Sequence, residues 1–476
     1  MKKIPLFGGS TANKSPVVTR QRRLNVYYDN RPDGDKTKVA VYGTPGLVTS
    51  FTLSTPSSLP LRGFSGEQSH MYAVAYNQFY KLNSSGSVLT TNSLATYSGN
   101  VSIAAASTQA VVVDGVNGYL YTDSSGTLTT ISPWQATGAQ TCTFVGGFFV
   151  AEQPGTQKFW VSNAYDGSTW NALAFASAST DPGNILAVDN LSTNLVLFFE
   201  QGTEFWQNVG ASPEPFQPIL SAGNEFGLAA INSRAHVNQT LIYLAQTREG
   251  AVQVVQLNGY SPNVISDGDI ESIINGFSTV SDAVALTYQV DTHKMYQLTF
   301  PNENRSFLYD TSTGIWSEVQ TGTSVTPTRH WGQLSAYCNG VTFISDYATS
   351  KIYKMSNTAY TDAGSQTIVR EIITRHILSD FNRIRISLLY LDMETGVGLQ
   401  TGQGSNPQIM LQYSKDNGRT WSAERWVSSG LVGDNMARVI WRRFGSTRDA
   451  TFRIRMSDPV KFVITEGAMK LSGRAQ

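Results

Sequence analysis

The chain has 476 residues, 41% hydrophobic, 11% aromatic and only 15% charged, with 35 Lys+Arg balanced by 35 Asp+Glu. Aromatics and frequent apolar runs exclude a disordered chain, zero net charge gives no ground for a generic polyanion binder, and the two distant cysteines, Cys142 and Cys338, have neither a disulfide framework's density nor a zinc spacing. Ser, Thr, Asn, Gln and Gly replace the missing charge, a turn-rich composition of the all-β type.

The start, MKKIPLFGGSTANKSP, has the lysines of a signal n-region, but the apolar stretch Ile4 to Phe7 is broken by Pro5 and is no h-region. No run approaches the ~20 apolar residues of a membrane span. A soluble chain with no membrane insertion of its own is expected. RLNVYYDNRPDGDKTKVAVYGTPGL, from Arg23, predicts two strands around an Asp-Gly turn.

A loose repeat follows. An apolar strand pairs with the next across a Gly/Asn/Ser turn, and the unit recurs. It begins at Met71 (MYAVAYNQFYKL), Ala110 (AVVVDGVNGYLY), Thr143 (TFVGGFFVAEQ), Leu195 (LVLFFEQGTEFW), Leu241 (LIYLAQTREGAVQVV), Lys294 (KMYQLTFPNENRSFLY) and Val341 (VTFISDYATSKIYKMS). These seven units lie roughly 35 to 55 residues apart, the period of a β-propeller. AVVV and LVLFF read as inner strands covered on both faces, and KIYKMS as an alternating outer strand. Helical pattern is scarce, with DGDIESIINGF from Asp267 the best segment.

After about residue 365 longer alternating strands appear. They are TIVREIITRHILSD, RIRISLLYLDMETGVG, QIMLQYSKDNGRTWSAERWV, ARVIWRRFGSTRDATFRIRM and VKFVITEGAMKLSG, which suit a sheet or sandwich. Charge divides along the same lines. Residues 1–38 hold 9 Lys+Arg against 3 Asp+Glu, residues 39–365 hold 10 against 22, and residues 366–476 hold 16 against 10. Two basic ends flank an acidic middle, as if the ends met in one region.

Ser414-Lys415-Asp416-Asn417-Gly418-Arg419-Thr420-Trp421 fits the Asp-box, Ser-x-Asp-x-Gly-x-x-Trp, found in sialidases and other glycan-handling propellers. Its parts also make a turn. Gly418 supplies positive φ, Ser414 and Asp416 hydrogen-bond exposed backbone, and Trp421 packs on the sheet. SNAYDGSTW from Ser162 and YDTSTGIW from Tyr309 are imperfect relatives. A single true copy indicates a hairpin more than hydrolysis, and no arginine triad accompanies it. The histidines His70, His236, His293, His330 and His376 lack metal-ligand spacing. GxxxxGK[ST] and GxSxG are absent. No catalytic set, cofactor or metal is expected.

Arg438, Arg442, Arg443, Arg448, Arg453 and Arg455 fall within 18 residues, interleaved with Trp441, Phe444 and Phe452. Two readings are open: contact with a nucleic-acid backbone, or salt bridges between strands and subunits. The second is preferred, because no nucleic-acid motif accompanies the cluster.

This stretch resembles the packaged-DNA stabilization protein of short-tailed podoviruses, the tail hub or nozzle subunit. The family pattern Arg-Val-[Leu/Ile]-Trp-[Lys/Arg]-Arg-x-Gly-x-x-Arg is matched at Arg438, Val439, Ile440, Trp441, Arg442, Arg443, Gly445 and Arg448, followed by Phe452, Arg455, Pro459 and Val460. ETGVG at Glu394, TPGL at Thr44, TQAVVVDGVNGYL at Thr108 and GTEFWQNVGA at Gly202 are weaker echoes in the same order. The resemblance implies a homo-hexameric ring below the portal and adaptor of a phage tail. It further implies retention of packaged DNA, passage of double-stranded DNA without sequence specificity, anchoring of tail fibres or spikes and a needle or plug, and assembly in the host cytoplasm.

The expectation is therefore an all-β chain with three parts. Residues 1–60 form part of a platform, 61–365 a propeller of six to eight blades with seven favoured, and 366–476 the rest of the platform. Arg438, Trp441, Arg442, Arg443, Arg448, Phe452, Arg453 and Arg455 are its interface candidates. A tail-associated glycan-binding or depolymerase propeller is the alternative.

Overall fold

A computed structural model describes the chain except residues 1, 5, 7–14, 16, 33–34, 55–58, 179–182, 325, 379–381 and 474–476. The expected Asp-Gly turn at residues 33–34 lies outside the described residues. The strands that flank it, Val26–Asn30 and Val39–Gly43, pair antiparallel as expected.

Seven antiparallel sheets follow one another around an axis, spanning 61–93, 102–130, 142–177, 185–218, 227–264, 284–319 and 332–356. Each of the seven predicted units falls in a different sheet, so the described residues of 61–356, with one strand from upstream, form a seven-bladed propeller. In the fifth blade two short strands, Gly227–Leu228 and Ala235–Val237, share the innermost position. The seventh blade takes its outer strand from far upstream. Gly46–Thr52 pairs antiparallel with Lys351–Ser356, so the chain enters and leaves the propeller through one blade and seals the ring. That strand lies inside the segment 1–60 expected to belong to the platform. Its short mixed run, Gly-Leu-Val-Thr-Ser-Phe-Thr, suits either sheet, and pairing with Lys351–Ser356 decides.

The apolar runs read as inner strands are inner strands, at the second position of their blades. Gln109–Val113 and Asn194–Phe199 are flanked by strands on both edges. Neighbouring blades cover both faces, and Leu195 to Phe199 are completely buried. Burial on this scale contributes about 1.5–3 kcal/mol per large side chain. The innermost strands need less apolar content because one edge borders the axial space. KIYKMS is likewise a third strand, with Gly46–Thr52 outside it. The predicted helical segment forms Gly268–Ile274, with the Asp267 side chain accepting from the backbone N–H groups of Asp269 and Ile270.

The two chain ends form a β-sandwich. One sheet runs Val26–Asn30, Val39–Gly43, Val463–Gly473, Ile384–Met393, Val439–Thr447, with Lys2–Lys3 also pairing with Val463–Gly473. The other runs Arg22–Leu24, Arg370–Ile373, Asp449–Met456, Gln408–Ser414, Arg425–Ser428. Between them lies one core that includes Ile4, Val26, Val41, Ile386, Leu411, Trp441, Phe444, Phe452 and Ile464. The second sheet continues into the propeller, because Leu24 bridges in parallel to Glu318 on the last strand of the sixth blade. Sandwich and blade thus share one hydrogen-bonded ladder.

Candidate assembly surface on the sandwich

The Asp-box forms the turn after Gln408–Ser414. The Ser414 hydroxyl donates to Asp416 Oδ1 at 2.7 Å and accepts the Gly418 N–H at 2.8 Å. Asp416 also accepts from the Thr420 N–H at 2.9 Å and the Thr420 hydroxyl at 2.6 Å. Bonds from the Thr420 and Ser414 side chains and from the Thr420 backbone hold the Asp416 carboxyl down at about 2. Asn417 and Gly418 adopt φ of 62° and 77°, the region that Asn and Gly tolerate. Trp421 then lies under the Arg453 guanidinium, 4.2 Å from ring centre to Cζ. The Ser414, Asp416 and Thr420 side chains all serve the turn.

The two imperfect relatives are also turns. Asp166 accepts from the Ser168 N–H and hydroxyl, and Trp170 Nε1 donates to Gly167 O. Asp310 accepts from the Ser312 N–H and the Thr313 hydroxyl.

The arginine cluster separates into two groups. Val439–Thr447 and Asp449–Met456 are consecutive strands, but they belong to opposite sheets. Arg442 and Arg443 are exposed on the first, Arg438 is exposed just before it, and Arg448 is exposed at the corner between the two. None of these four forms an ion pair among the described residues. Arg453 and Arg455 lie on the outer face of the other sheet, half-buried. Arg453 donates to Gln412 Oε1 at 3.1 Å and sits 3.8 Å from Glu371.

Trp441 and Phe452, two of the sequence candidates, are 2% and 0% exposed. They point into the sandwich core rather than outward. Trp441 Nε1 donates to Arg425 O at 2.9 Å, and Phe444 stands edge-on to both Tyr413 and Phe452.

Sequence reasoning missed several neighbours. Arg425 donates to the Arg442 carbonyl and stacks over Phe444, and the Lys415 ammonium reaches Gly445. Leu431, Val432 and Met436, all exposed, occupy the loop that feeds the arginine strand. The signal was present: three apolar residues inside the turn-rich SSGLVGDNMAR have no strand or helix period to bury them.

Polar residues bind the sandwich to the propeller. Arg22 pairs with Glu318 at 2.9 Å and Glu371 at 3.3 Å, and Arg305 pairs with Glu318 at 3.1 Å. Asn25, buried with φ 52°, donates to Gln320 O and Val369 O and accepts the Gln320 N–H.

The propeller axis holds a cavity of about 520 Å³ lined by the innermost strands of all seven blades. Its charged groups are already engaged: Arg62 donates to the carbonyls of Tyr76, Thr96 and Gly99, and the other three meet one another. Asp189 accepts from Arg234 at 2.8 Å and lies 2.9 Å from His236. Burial pushes the Asp189 carboxyl up, but His236 and Arg234 outweigh it and hold it at about 2. Among the described residues no group of His, Cys, Asp or Glu is placed to hold a metal ion.

A family model described as "Bacteriophage P22 Gp10, beta-propeller" matches residues 2–360, and one described as "Bacteriophage P22 Gp10, beta-sandwich" matches residues 369–472. No curated protein matches the chain. Among solved structures, the N-terminal domain of Nup159 aligns at 10% identity and TM-score 0.41, covering 70% of this chain and 98% of that one. BamB from Moraxella catarrhalis aligns at 8% identity and TM-score 0.41, covering 65% and 99%.

Proposed function

The chain belongs to the bacteriophage P22 Gp10 family of phage stabilization proteins, a tail component of the virion, and from that premise we propose that it acts by closing into a ring that extends the DNA channel of the tail. The ring is a homo-hexamer assembled in the host cytoplasm beneath the portal and adaptor proteins. It retains the packaged duplex, lets it pass at ejection without reading its sequence, and anchors fibres or spikes and a needle or plug. Its action is mechanical and electrostatic, not enzymatic.

One observation carries the ring reading. The axial cavity of about 520 Å³ has the volume of a small-molecule pocket. One helical turn of duplex, about 34 Å long and wider than its own major groove of about 12 Å, occupies several times that volume. A DNA channel built from this fold has to lie between copies of the chain. The glycan-handling alternative finds little support, since the Asp-box lies in the sandwich and Asp189 in the cavity is already paired.

Negative-stain microscopy of the full chain, alone and with the adaptor, tests the reading. Closed rings are expected. A monomer that releases reducing sugar from host polysaccharide would overturn it.

A further inference from the structure

Resting on the ring reading, we propose that the free edge strand Val439–Thr447 and the loop 429–437 before it form the contact surface for a second copy of this chain. The surface docks on the acidic loops of that copy's fourth and fifth blades.

The edge strand is paired on one side only, by Ile384–Met393. An exposed edge invites addition of another strand, but this one is interrupted. The register shifts between Ile386 and Leu388, opposite Arg443 with φ 65° and Gly445 with φ 80°. A bulge of this kind bends the edge and breaks its ladder, so a partner meets side chains there rather than backbone. Those side chains are the guanidinium groups of Arg442 and Arg443, which have no carboxylate partner among the described residues.

The adjoining loop selects the class of partner. Met436 is 85% exposed, with Leu431 at 56% and Val432 at 48%. Phosphate contacts use cations and hydrogen-bond donors, whereas a protein interface combines an apolar centre with a polar rim rich in arginine. Apolar side chains running into an arginine edge fit a protein with acidic and apolar surface.

The chain itself supplies such a surface. Residues 39–365 hold 22 Asp+Glu against 10 Lys+Arg. At the junction of the fourth and fifth blades Glu200, Glu225 and Glu249 are exposed on neighbouring loops. The Glu200 backbone packs against Gly227, and Glu225 pairs with Arg248 beside Glu249. Leu220, 79% exposed, stands on the adjoining loop. The two surfaces are different patches of one chain, so the contact is head-to-tail, and a head-to-tail contact generates a closed ring when its rotation closes.

Charge reversal in the full-length protein tests this. Arg442→Glu with Arg443→Glu, and separately Glu225→Arg with Glu249→Arg, should each raise the concentration needed for assembly by at least about tenfold. Sedimentation and microscopy would measure it. Combining all four substitutions should restore assembly, and circular dichroism should report native folding for each variant. Unchanged assembly in either pair, or failure of the combination to recover, overturns the proposed contact. So does a variant that assembles normally but loses the salt-dependent part of its duplex DNA binding, which would place the arginines on DNA. A wild-type chain that forms no ring even with the adaptor fails earlier, and the ring reading falls with it.

Discussion

The Asn25 side chain uses both amide hydrogens and its carbonyl oxygen: two donated bonds to Gln320 O and Val369 O, and one accepted from the Gln320 N–H. It does so at φ 52°, which Asn tolerates and alanine does not. Asn25→Ala leaves those backbone groups unpaired in a buried site. It should cost about 3 kcal/mol, seen as a lower urea midpoint, while Asn25→Gly, which keeps the backbone geometry, should cost less. Asp416 supports a pH test. Its folded value of about 2 lies below the ~3.9 of an unfolded chain. Its contribution is therefore fully present above about pH 4 and is lost as pH falls through about 2. The gap in thermal midpoint between wild type and Asp416→Asn should be widest near neutrality and close over that window. A gap independent of pH would mean that the carboxylate charge does not hold the turn. At this scale the Asp-box was legible, because its residues bond within eight positions of one another. Asn25 was not, because its partners lie about 300 residues away.

Strands and sheets were legible where pattern is local and obscure where pairing is distant. The seven repeat units each marked a blade, since a buried strand followed by a Gly turn leaves a local trace. The closing strand Gly46–Thr52 leaves none, because its partner Lys351–Ser356 is supplied by the opposite end of the propeller. The arginine cluster was legible within a strand, where Arg453 and Arg455 alternate with the buried Phe452 and Ile454, but not between strands, because the corner at Arg448 carries the chain from one sheet to the other. Closure also depends on the seam between first and seventh blades, where a Cβ on Gly66 would collide with the Tyr337 backbone. Gly66→Val should force the blades apart and lower the thermal midpoint by several degrees. Gly268→Ala, with open space around it, should leave the midpoint nearly unchanged. Equal effects would show that the seam does not limit stability.

The whole molecule joins its two ends across the acidic propeller. The charge division along the chain hinted at this, and the sandwich realises it: Lys2–Lys3, Val26–Asn30 and Val39–Gly43 share a sheet with strands from the last hundred residues. Because Arg22–Leu24 continues the sixth blade into the sandwich, the two parts should move as one body. The sequence could not reveal where a channel runs, since that depends on how copies are arranged. In the proposed ring DNA passes between copies and not along a propeller axis. A cryo-microscopy map of the assembled full-length chain with duplex DNA measures this directly. The expected map has a closed ring with one shared bore holding the duplex and the propeller axes displaced from it; isolated subunits, or a duplex threaded along a propeller axis, would contradict it.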